Sequence, residues 1–283
     1  MNIQTTANFC GPLPLIRSRA RVLTGVVAAL MAALGAVMSV GLGNYTFDHA
    51  FHHDIDSPIL AVELASTSSE LGKVLDPPAT DEQKAKEQAR EVLRTNTYED
   101  CALILLYTSF LWSFGTLFAV RGEGSRTHLR VLAFVIIATG VSDYTENMGI
   151  FRALGAGQLT DSLAQHICWP SRCKWSLLGI TLLLTAVILL RSGNPIYSLA
   201  TRRLLAIGYM MAAALVITGL WYPVLIELGM KVFGLIVLIN AVALLGPYVS
   251  EWIPAITPVY VDDFCERKRE GMTDVAVSAK PRE

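Results

Sequence analysis

Charge is what this chain has least of. Only 17% of its 283 residues are Asp, Glu, Lys or Arg, against about 25% in an ordinary soluble domain. Hydrophobic residues make up 53%, and the mean hydropathy is +0.46. That shortage argues against a soluble globular protein and for the bilayer. The 23 Lys and Arg nearly balance the 24 Asp and Glu, leaving a net charge of −1. Such a balance makes no case for a nucleic-acid partner, and none is expected. Histidine and cysteine are also sparse, at five each, and no convincing internal repeat is found.

Long apolar runs are present in quantity. Six stand out, at about 22–42, 102–120, 131–151, 175–190, 204–224 and 229–249. At roughly 1.5 Å per residue each can cross about 30 Å of hydrocarbon, the fourth only just. Lipid offers the backbone no hydrogen-bond partner, so these segments must be helices. The expected fold is an all-α integral membrane helical bundle of six transmembrane helices, with a helical external segment (44–99) between the first and second. The first run follows Arg17, Arg19 and Arg21, as a secretory signal would. It exceeds the 7–15 apolar residues of such a signal, so a retained anchor is expected. The small residues "SVGLG" at 39–43 leave its cleavage open.

Basic residues set the orientation. Arg17/Arg19/Arg21, Arg121/Arg126/Arg130, Arg191/Arg202/Arg203 and Arg267/Lys268/Arg269 all fall on one side if six spans alternate. The short loops opposite hold only Arg152, Arg172, Lys174 and Lys231. The positive-inside rule then makes both termini cytoplasmic, as in a multi-pass protein of the bacterial inner membrane. The expected divisions are a cytoplasmic N-terminus (1–21), a four-helix membrane core (22–191), a two-helix hairpin (192–250) and a cytoplasmic, disordered tail (251–283). Trp252 and Tyr260 stand where an interfacial aromatic belt belongs.

The external segment has structure of its own. "TSSE" (Thr67 to Glu70) and "TDEQ" (Thr80 to Gln83) read as capping boxes, in which hydroxyl and carboxyl or amide satisfy orphan backbone groups reciprocally. They predict a short helix ending near Asp76 and a second from about 81 that leads into the second span, with Pro77 and Pro78 between. "PILAVELA" (58–65) is apolar enough to lie on the membrane surface or cap the bundle. Residues 158–172 are expected to form another external connector. Cys168 and Cys173 share its "HICWPSRCKW" turn, where a small disulfide loop and two unpaired thiols are equally weighted readings.

The anomaly is "GVSDYTENMGIF" (140–151), which places two carboxyls and an amide inside the third apolar run. A charged group at mid-membrane costs roughly 2.5–3.5 kcal/mol on insertion scales. Asp143, Glu146 and Asn147 are spaced i,i+3 and i,i+4, so they share one helix face. Counted down from Arg152 they lie about 9–14 Å deep. Such a face should turn into the bundle. Lys174, opening the fourth span, can reach Glu146, and Tyr107, about 10 Å into the second span, matches Glu146 in depth. Asp143, Glu146 and Lys174 are therefore the candidate catalytic groups. Asp100, Tyr107, Tyr144 and Asn147 are candidate substrate-binding groups around one polar pocket in the outer half of the bundle, with Asp100 at its mouth. The competing reading is a polar clasp that fixes helix register without a substrate.

A second concentration of polar residues lies at "FDHAFHHDIDSP" (47–58). His49, His52 and His53 have metal-ligand types and spacing, which makes a weak metal candidate, but a solvated linker fits better and no metal site is expected. "HAFHH" also looks like one H-x-x-H-H box of membrane di-iron enzymes; those need three boxes on the cytosolic side, so that family is rejected. Asn240, mid-way along the sixth span, is expected to make a single interhelical hydrogen bond.

The pattern resembles a widespread group of uncharacterised bacterial polytopic membrane proteins. The residues that carry the likeness are "VELA" with Glu63, Asp100 seven before Tyr107, "DYTEN" with Asp143, Glu146 and Asn147, and "CKW" with Lys174. It covers about 22–191 and implies a four-helix architecture and a polar cluster, but no activity. The leading expectation is a pocket that binds or processes the polar part of a lipid or other amphipathic small molecule. Asp143 or Glu146 would be the acid/base group, with Lys174 and Asn147 on the head group. A proton- or cation-coupled transporter is the alternative, and a non-enzymatic accessory subunit is a third. The cofactor, any protein partner beyond the lipid bilayer, and whether the protein is an enzyme stay open.

Overall fold

The computed structural model describes residues 13–42, 55, 57–75, 82–119, 123–192 and 196–252. All regular structure among them is helical. The order is α1 (Leu13–Leu42), α2 (Pro58–Leu64), α3 (Ser68–Leu75), α4 (Glu82–Phe118), α5 (Glu123–Gly155), α6 (Asp161–Arg191), α7 (Leu199–Thr218) and α8 (Val224–Trp252). The described residues up to Leu244 form one compact unit. Residues 245–283 form a second, of which 245–252, the last turns of α8, are described.

Local chemistry sets the helix starts. Ser57 caps α2, accepting from the Leu60 N–H, and Pro58 occupies the first turn, where its missing N–H costs nothing. Thr160 and Ser198 cap α6 and α7 in the same way. The capping box at Thr67 forms as expected: the Glu70 N–H donates to Thr67 Oγ1 at 3.2 Å, and Glu70 Oε2 accepts from the Thr67 and Ser66 N–H groups at 3.1 and 2.8 Å. Burial by itself would push the Glu70 carboxyl up, but these donated hydrogen bonds outweigh it and hold the group below its ordinary value. Thr80, the start of the second expected box, lies outside the described residues. The helix it was to open is present as the first half of α4, which runs unbroken for 37 residues into the second span.

Among the described residues, five helices are both long and apolar enough to cross a membrane: Ser18–Met38, Arg90–Phe118, Asp161–Arg191, Leu199–Thr218 and Val224–Pro247. The third expected span falls on α5. That helix has the length, 33 residues, but Asp143, Glu146 and Asn147 interrupt its apolar run.

The connector expected at 158–172 is corrected. Only 156–160 lie outside helices, and α6 runs straight through Pro170. Proline cannot donate to the carbonyl four residues back, here that of His166. The freed carbonyl faces Gly149 of α5, where a Cβ would stand 3.3 Å from His166 O and 2.9 Å from Ile167 Cγ1. Gly149 thus lets α5 and α6 approach closely just beside Glu146. Helical geometry also decides the cysteines. Cys168 is buried, Cys173 is exposed, and both are free thiols, so the unpaired reading holds and the disulfide loop does not form.

α2 and α3 pack over α6, with further contacts to α5 and α4 respectively. α2 is almost wholly buried, so "PILAVELA" caps the bundle. Ser68 donates from its N–H and hydroxyl to Asp161 Oδ1 at 2.7 and 2.6 Å, and the Ser57 N–H donates to Glu227 Oε1 at 2.7 Å. The cap is therefore fastened to both α6 and α8. Below it, Phe110, Phe114 and Phe118 of α4 form a column of tilted rings with Tyr209, and Phe118 stacks on Tyr197. Asn240 makes more than the single expected bond: it accepts from the Tyr197 hydroxyl at 2.8 Å, donates to Ile236 O at 2.7 Å and lies 3.4 Å from the Tyr209 hydroxyl.

The close α5–α6 approach can be tested at one residue. Gly149→Ala should force the helices apart and lower stability by about 1–3 kcal/mol, read as a depressed unfolding midpoint of the detergent-solubilised protein. An unchanged midpoint would mean that the contact does not set the spacing.

Candidate functional site

The expected polar face of α5 does turn inward. Asp143, Glu146 and Asn147 are 3%, 0% and 1% exposed. They meet α6 and α4 on one side and the cap on the other, and Lys174 of α6 stands at the centre. Its ammonium lies 2.8 Å from Glu146 Oε1, 3.2 Å from Asp143 Oδ1 and 3.0 Å from Glu63 Oε1. The contact with Glu146 is a donated hydrogen bond, and those with Asp143 and Glu63 are ion pairs. Its cation also sits 4.6 Å from the centre of the Trp175 ring, a cation–π contact.

A ring of neutral donors surrounds the carboxyls. The Tyr107 hydroxyl donates to Asp143 Oδ2 at 2.9 Å. Asn147 Nδ2 donates to Asp100 Oδ2 at 2.8 Å and lies 3.6 Å from Cys101 Sγ. Trp175 Nε1 donates to Glu63 Oε2 at 3.0 Å, with the Ser171 hydroxyl 3.4 Å away. Asp100 is half-buried at the edge of this network. Glu146 Oε2 and Asp143 Oδ1, in contrast, are buried and receive no donor; the Glu63 carboxyl shares the Lys174 ammonium with both residues.

The structure therefore brings together six of the seven candidates: Asp100, Tyr107, Asp143, Glu146, Asn147 and Lys174. Tyr107 pairs with Asp143 and not with Glu146, the partner its depth suggested. Tyr144 is corrected: it is 57% exposed, because one residue along a helix turns the side chain about 100° away from Asp143. His49, His52 and His53 lie outside the described residues, among which no group of three His, Cys, Asp or Glu is arranged to hold a metal ion.

Three partners were missed as site residues: Glu63, Ser171 and Trp175. Glu63 was visible only as part of the resemblance, although a lone acid in "PILAVELA" is the same kind of anomaly as the acids in "SDYTEN". Its contact with Lys174 joins residues 111 positions apart, which no local pattern reports.

Comparison with protein-family models, characterised proteins and solved structures gives no match. The functional reading rests on the residues themselves.

Four carboxyls face one ammonium, and among the described residues no second cation pairs with them. Removing that cation leaves the acids facing one another in a buried space. Lys174→Met should cost about 3–5 kcal/mol, seen as loss of folded protein in detergent. Ser171→Ala should cost under about 1 kcal/mol. Equal behaviour of the two variants would mean that the ion pairs do not hold the cap and helices together.

Proposed function

We propose that this is a six-span membrane protein of the bacterial inner membrane, with both termini cytoplasmic and α5 crossing as the third span. The capped Lys174 cluster, in the outer half of the bundle, is its functional centre. It binds or processes the polar part of a lipid or other amphipathic small molecule, with Asp143 or Glu146 as the acid/base group.

Two features of α5 support its placement. Asp143, Glu146 and Asn147 are buried, while Val131, Phe134, Ile137, Val141, Tyr144 and Met148 are exposed at spacings of three and four. This apolar stripe covers about 26 Å of helix, close to the hydrocarbon thickness. Arg130 and Arg152, both exposed, bracket it.

The observation that carries the functional reading is the charge of the cluster. A structural clasp needs balanced partners, whereas here the carboxyls outnumber the cation four to one and Glu146 Oε2 is buried without a donor. A buried acid with an unfilled bond is a device for taking up a proton or a ligand. The aromatic column from Phe110 to Phe118 fills the bundle on the inner side of Tyr107, which favours binding from the outer side over transport through the bundle. The likeness to the uncharacterised bacterial polytopic proteins is part of this proposal and rests on the same residues.

Topology and function are tested separately. In a cysteine-free background, Arg152→Cys should react with a membrane-impermeant maleimide in intact cells, and Arg130→Cys only after lysis. Reaction of both in intact cells rules out α5 as a span. For function, a deletion strain should show an altered lipid profile that wild-type protein restores and an equally abundant Asp143→Asn protein does not. An unaltered profile in the deletion strain would sink the lipid reading.

A further inference from the structure

If the cluster binds a ligand, as proposed above, its donors and acceptors determine the sign of that ligand's charge. Every donor group in the set is held against a carboxyl. Lys174 serves Glu63, Asp143 and Glu146. Tyr107 serves Asp143, and Trp175 serves Glu63. The donating amide of Asn147 serves Asp100. What remains is acceptor capacity: Glu146 Oε2 and Asp143 Oδ1, both buried without a donor, and the half-buried Asp100 at the edge. These pairings speak against the head-group role expected for Lys174 and Asn147. A phosphate or carboxylate entering here would find no free donor and several carboxyls of its own sign.

We propose that the occupant presents an ammonium group, which lies against Glu146 Oε2 and enters past Asp100. Ammonium supplies what the site lacks, a positive charge together with N–H donors, and charge-assisted hydrogen bonds to carboxylate are among the strong ones. A bare metal ion fits less well, because it needs several oxygens disposed around one point, and no such group exists among the described residues. The Glu63 carboxyl beside Glu146 offers the rival arrangement, a proton shared between the two acids in place of a ligand.

The test measures the unfolding midpoint of the full-length protein in a neutral maltoside detergent at fixed ionic strength. The added probes are dodecylammonium, dodecyl phosphate, methylammonium and sodium chloride. Dodecylammonium well above its dissociation constant should raise the midpoint by about 3 °C or more, and dodecyl phosphate should not. The rise should vanish in Glu146→Gln, whose carboxamide brings its own donor and removes the charge. A rise with methylammonium alone supports the ammonium chemistry and assigns it to a free amine. A Glu146-dependent rise with sodium alone overturns it in favour of an inorganic cation. A rise with phosphate, a dodecylammonium rise that survives in Glu146→Gln, or no response to any probe also overturns it, the last in favour of the shared proton. Should Glu146→Gln not fold, the contrast between the ammonium and phosphate amphiphiles on the wild type decides alone. Failure here together with an altered lipid profile in the deletion strain overturns the ammonium class and leaves the binding reading standing. An unaltered profile overturns that reading itself.

Discussion

The buried ammonium of Lys174 is the interaction on which the rest of the molecule depends. It reaches one carboxylate on the cap helix α2 and two on α5 while anchored in α6, so one side chain fixes three elements. The neutral donors then extend the set to α4 through Tyr107 and Asn147. Taking such charges out of water costs several kcal/mol each unless geometry and hydrogen bonds compensate. Here compensation is incomplete: one oxygen each of Asp143 and Glu146 accepts a hydrogen bond, and Asp143 Oδ1 and Glu146 Oε2 receive none.

Backbone geometry makes the arrangement reachable. Gly149 and the carbonyl freed by Pro170 let α5 and α6 approach one turn from Glu146, which places the carboxylates within bonding range of Lys174. On the inner side of the cluster the aromatic column fills the bundle with apolar rings. Outside, the cap is tied down at Asp161 and Glu227, so the acids are enclosed on both sides. Enclosure lowers the effective dielectric and strengthens each remaining interaction, including any made by an occupant.

Much of this was legible residue by residue. The shared face of Asp143, Glu146 and Asn147 follows from helical spacing, and the Lys174–Glu146 pair from matching depths along antiparallel helices. The α3 cap was legible in Thr67 and Glu70, since a capping box closes within four residues. Other features were not. Pro170 in "CWPSRC" reads locally as a turn, yet the helix persists because neighbouring packing outweighs one lost hydrogen bond. Tyr144 was grouped with its sequence neighbours although its helix angle sends it outward. Depth paired Tyr107 with Glu146, but depth fixes only one coordinate, and rotation about the axis gave it to Asp143.

The sequence by itself therefore determined the helices, the apolar runs and the shared polar face, because each follows from spacing along a single chain. Only the tertiary structure decided which carboxyls share Lys174, that Glu63 descends from the cap to join them, and that Asp143 and Glu146 are each left with one oxygen without a donor. Those outcomes depend on how separate helices rotate and approach, and residues 111 positions apart meet only when the whole bundle has closed around them.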